Sequence, residues 1–290
     1  MAIRFGDTTS IGAKILLIGV IILLLLIPLM MLRGVVSERS SMREQAYQKV
    51  AEGWGGDLVV GGPILVIPTE REVSDGVRTS IERREIYLLP AQQNVDVQLR
   101  LEEEPRYVGI YAVPVYLSSV HITGQFDFTS LLPLLDQSGV TYLWKEARLR
   151  LPLSEVRSLR EVRQARFAGQ DIKLGPGTRG LYVGVEAPIE PTTVTHGEPV
   201  SFEFVTTLAG SRTFSVLPLG STTTVTLTSD WPHPSFQGAF LPVERAITAT
   251  GFQARWQVLE LNRSYGQAWT QGDFDGSTLT SSAFGVGLYQ

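Results

Sequence analysis

Hydrophobic residues follow two patterns along this chain, one continuous and one alternating. The continuous pattern occupies residues 15–32, eighteen uncharged and almost wholly apolar residues between Lys14 and Arg33. At about 1.5 Å per residue, a helix of this length spans roughly 27 Å, close to the roughly 30 Å hydrocarbon core of a bilayer. The run predicts a transmembrane anchor at 15–32 behind an N-terminal tail at 1–14. A cleaved signal peptide is the alternative, but its apolar region is shorter, about 7 to 15 residues.

A helical stalk is predicted for residues 33–53. In its second half, apolar residues recur at spacings of three and four, and charged residues occupy the other faces. Gly53, Gly55 and Gly56 provide a C-terminal stop, because glycine readily adopts the backbone conformations that end a helix. The stalk is therefore expected to continue the anchor helix and to end where the folded domain begins.

From Leu58 onward, apolar and polar residues alternate, as in Val95, Val97 and Leu99. A period of two is that of a half-buried strand, and glycines and prolines separate the alternating segments. The pattern predicts about twelve strands, with no fixed-period repeat. We therefore expect residues 54–290 to form a mainly β domain, a large antiparallel sandwich-like structure.

Two short helices are expected within this domain, one at Thr129–Gln137 and one that begins at Ser154. Helical spacing in the second would place Arg157, Arg160 and Arg163 on one face. Guanidinium groups match phosphates and carboxylates, so this face is a candidate contact surface for anionic lipid headgroups or an acidic partner. The alternative is a solvated face opposite an apolar one.

The segment Trp231–Phe236 is the second candidate interaction surface. Two prolines restrict its backbone, and Trp231, His233 and Phe236 offer ring faces suited to sugars or to another protein. In the structural alternative, Trp231 and Phe236 cap the domain core and His233 faces solvent.

Composition excludes several kinds of chemistry. The formal net charge is -4, so the chain lacks the excess of basic residues that is typical of nucleic-acid-binding proteins. The lack of cysteine excludes disulfides and thiolate sites. His121, His196 and His233 have no metal-ligand spacing, and Asp273–Gly276 lacks the closing glutamate of a calcium loop, which favours a turn. We expect no catalytic, metal-binding or cofactor-binding residues. An enzymatic function would require two carboxylates from distant strands to meet in a cleft, as in glycosidases.

Four long strings, taken together, resemble the CreD family of bacterial inner-membrane proteins. They are LLLLIPLMMLRGVVSERSSMREQAY at 23–47, VVGGPILVIP at 59–68, PRYVGIYAVPVYLSSVHITGQFDF at 105–128 and WPHPSFQGAFLPVERAITATGFQARWQVLELNRSYGQ at 231–267. The resemblance extends from about Leu16 to Tyr289 and keeps the order of the strings. It implies a Gram-negative inner-membrane protein with a large periplasmic β-rich region and further C-terminal transmembrane helices. It also implies a link to cell-envelope integrity and to the CreBC two-component regulon.

The resemblance provides no catalytic or ligand-binding residues. The chain contains no second apolar run of eighteen residues, which implies either a truncated sequence or a shortened homologue. The positive-inside rule slightly favours the opposite topology, because Arg33, Arg39, Arg43 and Lys49 outnumber the cations before the anchor. The resemblance nevertheless implies a cytoplasmic tail and a periplasmic domain.

Three functions remain open, with the lipid bilayer as the expected partner in each. The leading hypothesis is a non-enzymatic envelope protein whose periplasmic domain binds or senses envelope glycan or another inner-membrane or periplasmic protein. The second is an envelope-glycan enzyme with a carboxylate pair in a β-sandwich cleft. The third is a scaffold for other membrane proteins.

Overall fold

The computed structural model describes residues 11–74, 78–177, 183–190, 198–273 and 276–288. Its longest element is helix α1, Ile11–Gly53, which contains the predicted anchor and stalk without a break. The predicted stop is confirmed. Trp54 and Gly55 donate the last helical hydrogen bonds, to Val50 and Ala51, and Gly55 has a φ of +133°, which glycine adopts without strain.

The chain divides into two compact units, Met1–Tyr47 and Gln48–Gln290. In the first unit, the side chains of residues 15–32 are exposed around the whole helix, so the apolar surface has no core to cover it. A helix that is apolar on all sides is suited to lipid. Pro28 lies within the helix, as transmembrane helices tolerate.

The second unit is built mainly of strands, which confirms the predicted fold class. In chain order the strands are β1 Leu58–Gly61, β2 Ile64–Ser74, β3 Thr79–Leu88, β4 Gln92–Leu101, β5 Arg106–Val108, β6 Tyr111–Val113, β7 Val115–Phe126, β8 Val140–Tyr142, β9 Arg148–Pro152, β10 Leu159–Phe167, β11 Gln170–Asp171, β12 Gly175–Pro176, β13 Gly184–Pro188, β14 Val200–Ser211, β15 Thr213–Leu217, β16 Thr222–Ser229, β17 Ser235–Gly238, β18 Glu244–Thr248, β19 Gly251–Leu259, β20 Ala268–Thr270 and β21 Phe284–Gly287. The short helices are α2 Leu132–Leu135 and α3 Ser277–Ser281.

An eight-stranded sheet has the order β11-β10-β14-β7-β4-β16-β19-β18. Its neighbouring strands are antiparallel, except that β4 and β16 run parallel, with Val95 opposite Val225. The alternation of apolar and polar residues in the sequence corresponds to the buried and exposed faces of this sheet. Val95, Val97 and Leu99 are buried, whereas the residues between them are exposed.

A seven-stranded antiparallel sheet has the order β12-β13-β9-β2-β3-β20, with β8 also paired to β2. Buried side chains of both large sheets, such as Leu149 and Phe204, belong to one continuous core. A four-stranded sheet, β1-β15-β21-β17, contributes Phe214 and Phe284 to the same core, and β5 pairs with β6 in a small hairpin. The predicted sandwich-like arrangement is therefore present, with additional small sheets.

Strand β2 is buried on both faces at its start. Ile64, Leu65, Val66 and Ile67 are each at most 1% exposed. Leu65 and Ile67 face the main core, whereas Ile64 and Val66 belong to a second apolar cluster with Trp269. Its continuous apolar run is the pattern expected of a strand covered on both sides.

The prediction of a helix from Ser154 is wrong. Residues Val156–Ser158 form one 3₁₀ turn, and the chain then enters β10. The strand forms because the Leu159–Phe167 backbone pairs with β14, and because Ala165 and Phe167 are buried in the core. Two register irregularities within β10 disturb its alternation, which explains why the sequence lacked a clear period of two.

The helix predicted at Thr129–Gln137 is present in shorter form. A 3₁₀ turn, Phe128–Leu131, leads into α2. Asp127 caps the turn, since its carboxylate accepts from the backbone N–H of Thr129 at 2.9 Å. The hydrogen bond that the Thr129 hydroxyl donates to the same carboxylate, together with this backbone contact, lowers the pKa of the Asp127 carboxyl group.

Replacing a core ring in β14 provides a test of this packing. Phe204→Ala should lower the free energy of unfolding of a fragment of residues 48–290 by about 3–5 kcal/mol, because a fully buried phenylalanine leaves a cavity. Val205→Ala, at the next position on the opposite face, should cost less than about 1 kcal/mol. Urea unfolding followed by circular dichroism measures both, and equal losses would contradict the assigned faces.

Candidate functional site

The three arginines predicted to share a helix face lie on different elements. Arg157 is in the 3₁₀ turn and is exposed, and it makes no ion pair with any residue that the structure describes. Arg160 and Arg163 are on β10. The helical stripe is therefore absent, and each arginine has its own surroundings.

Arg160 contacts Trp54, the first residue after α1. Its guanidinium carbon lies 5.0 Å from the centroid of the indole ring, and its Nη2 donates to the Trp54 carbonyl at 2.6 Å. A second arginine, Arg106 of β5, lies 4.6 Å from the same ring. Cation–π contact and the hydrogen bond fix the half-buried ring against the strands. Trp54 Nε1 also approaches the Tyr116 carbonyl at 3.4 Å.

Arg163 lines an open cleft of about 730 Å³ on the outer face of the eight-stranded sheet. We call it the arginine cleft. Its residues come from β4, β5, β7, β10, β14 and the turn after β4; they are Gln98, Arg100, Leu101, Glu102, Glu103, Glu104, Arg106, Leu117, Ser119, Arg163 and Thr207. The strand register explains the floor, because Gln98 lies opposite Ser119 and Ser119 lies opposite Thr207.

Both signs of charge are present in the arginine cleft, three arginines and three glutamates. Arg163 Nε lies 2.8 Å from Glu161, and both side chains are 55% exposed. Such a surface pair contributes only about 0–1 kcal/mol, so a ligand can displace it at little cost. The Thr207 hydroxyl oxygen is buried and has no hydrogen-bond partner among the described residues. The cleft thus combines charged side chains with hydrogen-bonding groups.

The Trp231–Phe236 segment packs largely on the core. The Phe236 ring lies 5.7 Å from the rings of Phe252 and Trp256. Trp231 Nε1 donates to the His233 carbonyl at 2.7 Å, and the Trp231 side chain is partly buried against the core. His233 is exposed. These contacts are the ones expected if the segment caps the sandwich, and recognition by this segment stays a prediction.

The structure brings the arginine cleft and the Trp231–Phe236 segment to the same end of the eight-stranded sheet. Strands β4 and β16 are parallel neighbours, so Leu101, the last residue of β4, and Asp230, which follows β16, lie at the same end of the sheet. The backbone N–H of Leu101 donates to the Asp230 carboxylate at 3.1 Å. Leu101 lines the arginine cleft, and Asp230 directly precedes Trp231.

Sequence reasoning missed Trp54, Arg100 and Arg106. Arg100 and Arg106 flank the acidic run Glu102–Glu104, which reads as a solvated strand end. A tryptophan among glycines directly after a helix was the available signal for Trp54, since a large ring at such a position needs a packing partner.

The carboxylates Glu85 and Glu186 are mostly buried and are matched to arginines of β9. Glu186 accepts from Arg150 Nε at 2.6 Å and lies 3.3 Å from Arg148 Nε. Glu85 pairs with Arg148 and accepts from the Tyr87 hydroxyl at 2.6 Å. Burial, together with the neighbouring Glu85 carboxylate, raises the pKa of the Tyr87 hydroxyl. The two carboxylates thus serve as ion-pair partners.

Histidine chemistry is limited in the ranges that the structure describes. His121 Nε2 lies 3.0 Å from Glu203, which also accepts from the Gln164 amide at 2.6 Å. Within those ranges, no group of three or more histidine or carboxylate side chains could hold a metal ion. His196 and the central residues of Asp273–Gly276 lie outside the described residues.

Comparison with known proteins gives a match over residues 10–290 to the family described as "Inner membrane protein CreD". A curated relative, "Inner membrane protein CreD" of Escherichia coli (strain K12), is 31% identical over 262 residues. The alignment covers 88% of this chain and 57% of that protein, so the chain spans little more than half the length of its relative.

Among solved structures, the M1 zinc metallopeptidase from Deinococcus radiodurans is 14% identical, with a TM-score of 0.30. The match covers 59% of this chain and 38% of the metallopeptidase. A mutant form of the same enzyme gives a TM-score of 0.29 over the same shares. The likeness is too low to relate the two proteins.

The Trp54 contacts predict different roles for two arginines only three residues apart. Arg160→Ala should lower the free energy of unfolding of the 48–290 fragment by about 1–2 kcal/mol, since it removes one cation–π contact and a charged hydrogen bond. Hydrogen exchange at residues 54–56 should rise as well. The control Arg157→Ala should change the free energy by less than about 0.5 kcal/mol. Equal effects in urea unfolding would count against the assigned contacts.

Proposed function

Because this chain belongs to the CreD family of inner membrane proteins, we propose that it is a non-enzymatic protein of cell-envelope integrity whose β-rich unit binds envelope glycan in the periplasm. The family match over residues 10–290 and the exposed apolar helix support the membrane location. The chain covers 57% of its curated relative, and we therefore propose, for this chain, a role in envelope integrity and periplasmic sensing.

The arginine cleft is the structural feature that supports the binding function. It is open to solvent, and it presents Arg100, Arg106 and Arg163 beside three glutamates and a floor of amide and hydroxyl groups. Envelope glycan cross-linked by peptides carries carboxylates, amines and hydroxyls, and each finds a complementary partner in such a lining. Arginine in particular binds carboxylates through two parallel hydrogen bonds.

Binding is favoured over glycan hydrolysis by the placement of the carboxylates. An enzyme of that kind needs a carboxylic acid kept protonated in a shielded site beside a second carboxylate. In the arginine cleft, Glu103 and Glu104 are exposed to solvent. The more deeply buried Glu85 and Glu186 are matched to Arg148 and Arg150. Their carboxylate oxygens are therefore already engaged by arginines within the fold.

Topology is tested by protease accessibility. With the tail in the cytoplasm, residues 54–290 should be digested in spheroplasts while the inner membrane is intact. Protection of this region until the membrane is broken would overturn the periplasmic location. A cytoplasmic protein that stays undigested in the same spheroplasts is the control for membrane integrity.

Binding is tested by co-sedimentation of the 48–290 fragment with isolated peptidoglycan sacculi. Arg163→Glu should weaken binding by about 10- to 100-fold, since a lost charged hydrogen bond is worth about 1.5–3 kcal/mol. Arg166→Glu is the matched control, because Arg166 is also on β10, is also exposed and also pairs with a carboxylate, that of Asp171. It should bind nearly as the unmodified fragment does. Failure of the unmodified fragment to sediment would refute glycan binding, and equal losses in both variants would remove the arginine cleft as its site.

A further inference from the structure

Lysine is rare in this chain, and its placement is uneven. Of the 25 basic residues, four are lysines, at positions 14, 49, 145 and 173. The two that belong to residues 54–290, Lys145 and Lys173, line one cleft. They are 28 positions apart in sequence, so the fold brings them together. We call this the lysine cleft.

The lysine cleft has a volume of about 470 Å³ and lies where β9, β12 and β13 meet the preceding turns. The accessible apolar part of its walls comes from Leu174, Pro176 and Pro188, with Ala147 and Ala187 buried behind them. The volume falls within the roughly 300–1,000 Å³ that is typical of small-molecule sites. The walls therefore offer an apolar body of that size a place to pack.

The cations of the lysine cleft exceed the carboxylates that neutralise them. Arg148 pairs with Glu85 and Glu186, and Glu146 pairs with Arg83 at 3.3 Å. Lys145 and Lys173 are exposed and make no ion pair with any residue that the structure describes. Their charges are left for a ligand.

Arg150 is a buried cation that contacts Glu186, one of the residues lining the lysine cleft. It is 1% exposed and shares the carboxylate of Glu186 with Arg148, so two guanidinium groups face that one carboxylate. Its Nη1 is buried without a hydrogen-bond partner among the described residues. Glu186 therefore cannot neutralise both arginines, and the charged groups around the lysine cleft keep an excess of cations.

We propose that the lysine cleft binds a small amphiphilic anion, with its apolar body against the leucine and proline walls and its carboxylate or phosphate head between Lys145 and Lys173. Charge complementarity selects the head, because neither lysine pairs with a carboxylate among the residues that the structure describes. Burial of the apolar body adds about 25 cal/mol for each Å² of surface removed from water. This site is separate from the arginine cleft and does not depend on the glycan-binding proposal.

The scarcity of lysine allows a direct footprint on the chain of residues 1–290 in nanodiscs of neutral phosphatidylcholine. An amine-acylating reagent and mass spectrometry report the modification rate at each lysine. With octanoate or octyl phosphate at about nine times its dissociation constant, the site is 90% occupied, and acylation of Lys145 and Lys173 should slow by about tenfold. Lys49 should not change, and it is the internal control.

The two probes distinguish the source of the anion, since protection by octanoate alone assigns a carboxylate head and protection by octyl phosphate alone assigns a phosphate head. Either result supports the proposal. Equal protection by inorganic phosphate or acetate would overturn the role of the apolar walls. Protection by octanol would overturn the role of the charge, and no protection by any probe would overturn the site.

A variant provides a second, independent measurement. Lys145→Gln with Lys173→Gln should weaken octyl phosphate or octanoate binding at least about tenfold in calorimetry with the same nanodiscs, as loss of two charged contacts implies. Both side chains are exposed, so the thermal unfolding midpoint should stay unchanged. Arg245→Gln, an exposed cation on β18, is the control and should bind normally. Unchanged affinity in the double variant would refute the proposal.

Discussion

The face-to-face packing of the two large sheets is the interaction on which the rest of the β-rich unit depends. Trp256 and Phe204 from the eight-stranded sheet and Leu149 from the seven-stranded sheet share one core. Because successive side chains of a strand point to opposite faces, burial of one face fixes the register of each strand and turns the other set of residues outward. The polar floor of the arginine cleft, with Gln98 and Ser119, is the outward set of β4 and β7.

Long-range pairing decides where the candidate sites form. Strands β4 and β16 are parallel and are separated by more than a hundred residues of chain, yet their pairing places Asp230 beside Leu101. A parallel pair needs a crossover and cannot be inferred from a local turn. The lysine cleft likewise requires β13 to pair with β9 and β12 to pair with β13. Both clefts are therefore products of topology.

Local sequence patterns were sufficient to predict an element wherever its structure depends on residues close in sequence. The alternation Val95, Val97 and Leu99 identified an inward face, and the glycines after residue 52 identified the end of α1, because each depends on neighbours in sequence. The segment after Ser154 misled because i, i+3 spacing of arginines resembles a helix, whereas the pairing of β10 with β14 decides its conformation. Trp54 was missed for the same reason, since Arg106 and Arg160 reach it from distant strands.

Arginine and lysine have different roles in the β-rich unit, and the difference follows from their chemistry. Several arginines here join strands through carboxylates, as in Arg212 with Asp57 and Arg148 with Glu85 and Glu186, because a rigid guanidinium holds two oxygens at once. A lysine ammonium is a flexible point charge and holds a fixed geometry less well. Lysines would be poor substitutes in those pairs. Among the described residues, Lys145 and Lys173 form no such ion pair. A mobile cation over an apolar wall is better suited to a ligand that comes and goes than to a permanent contact within the fold.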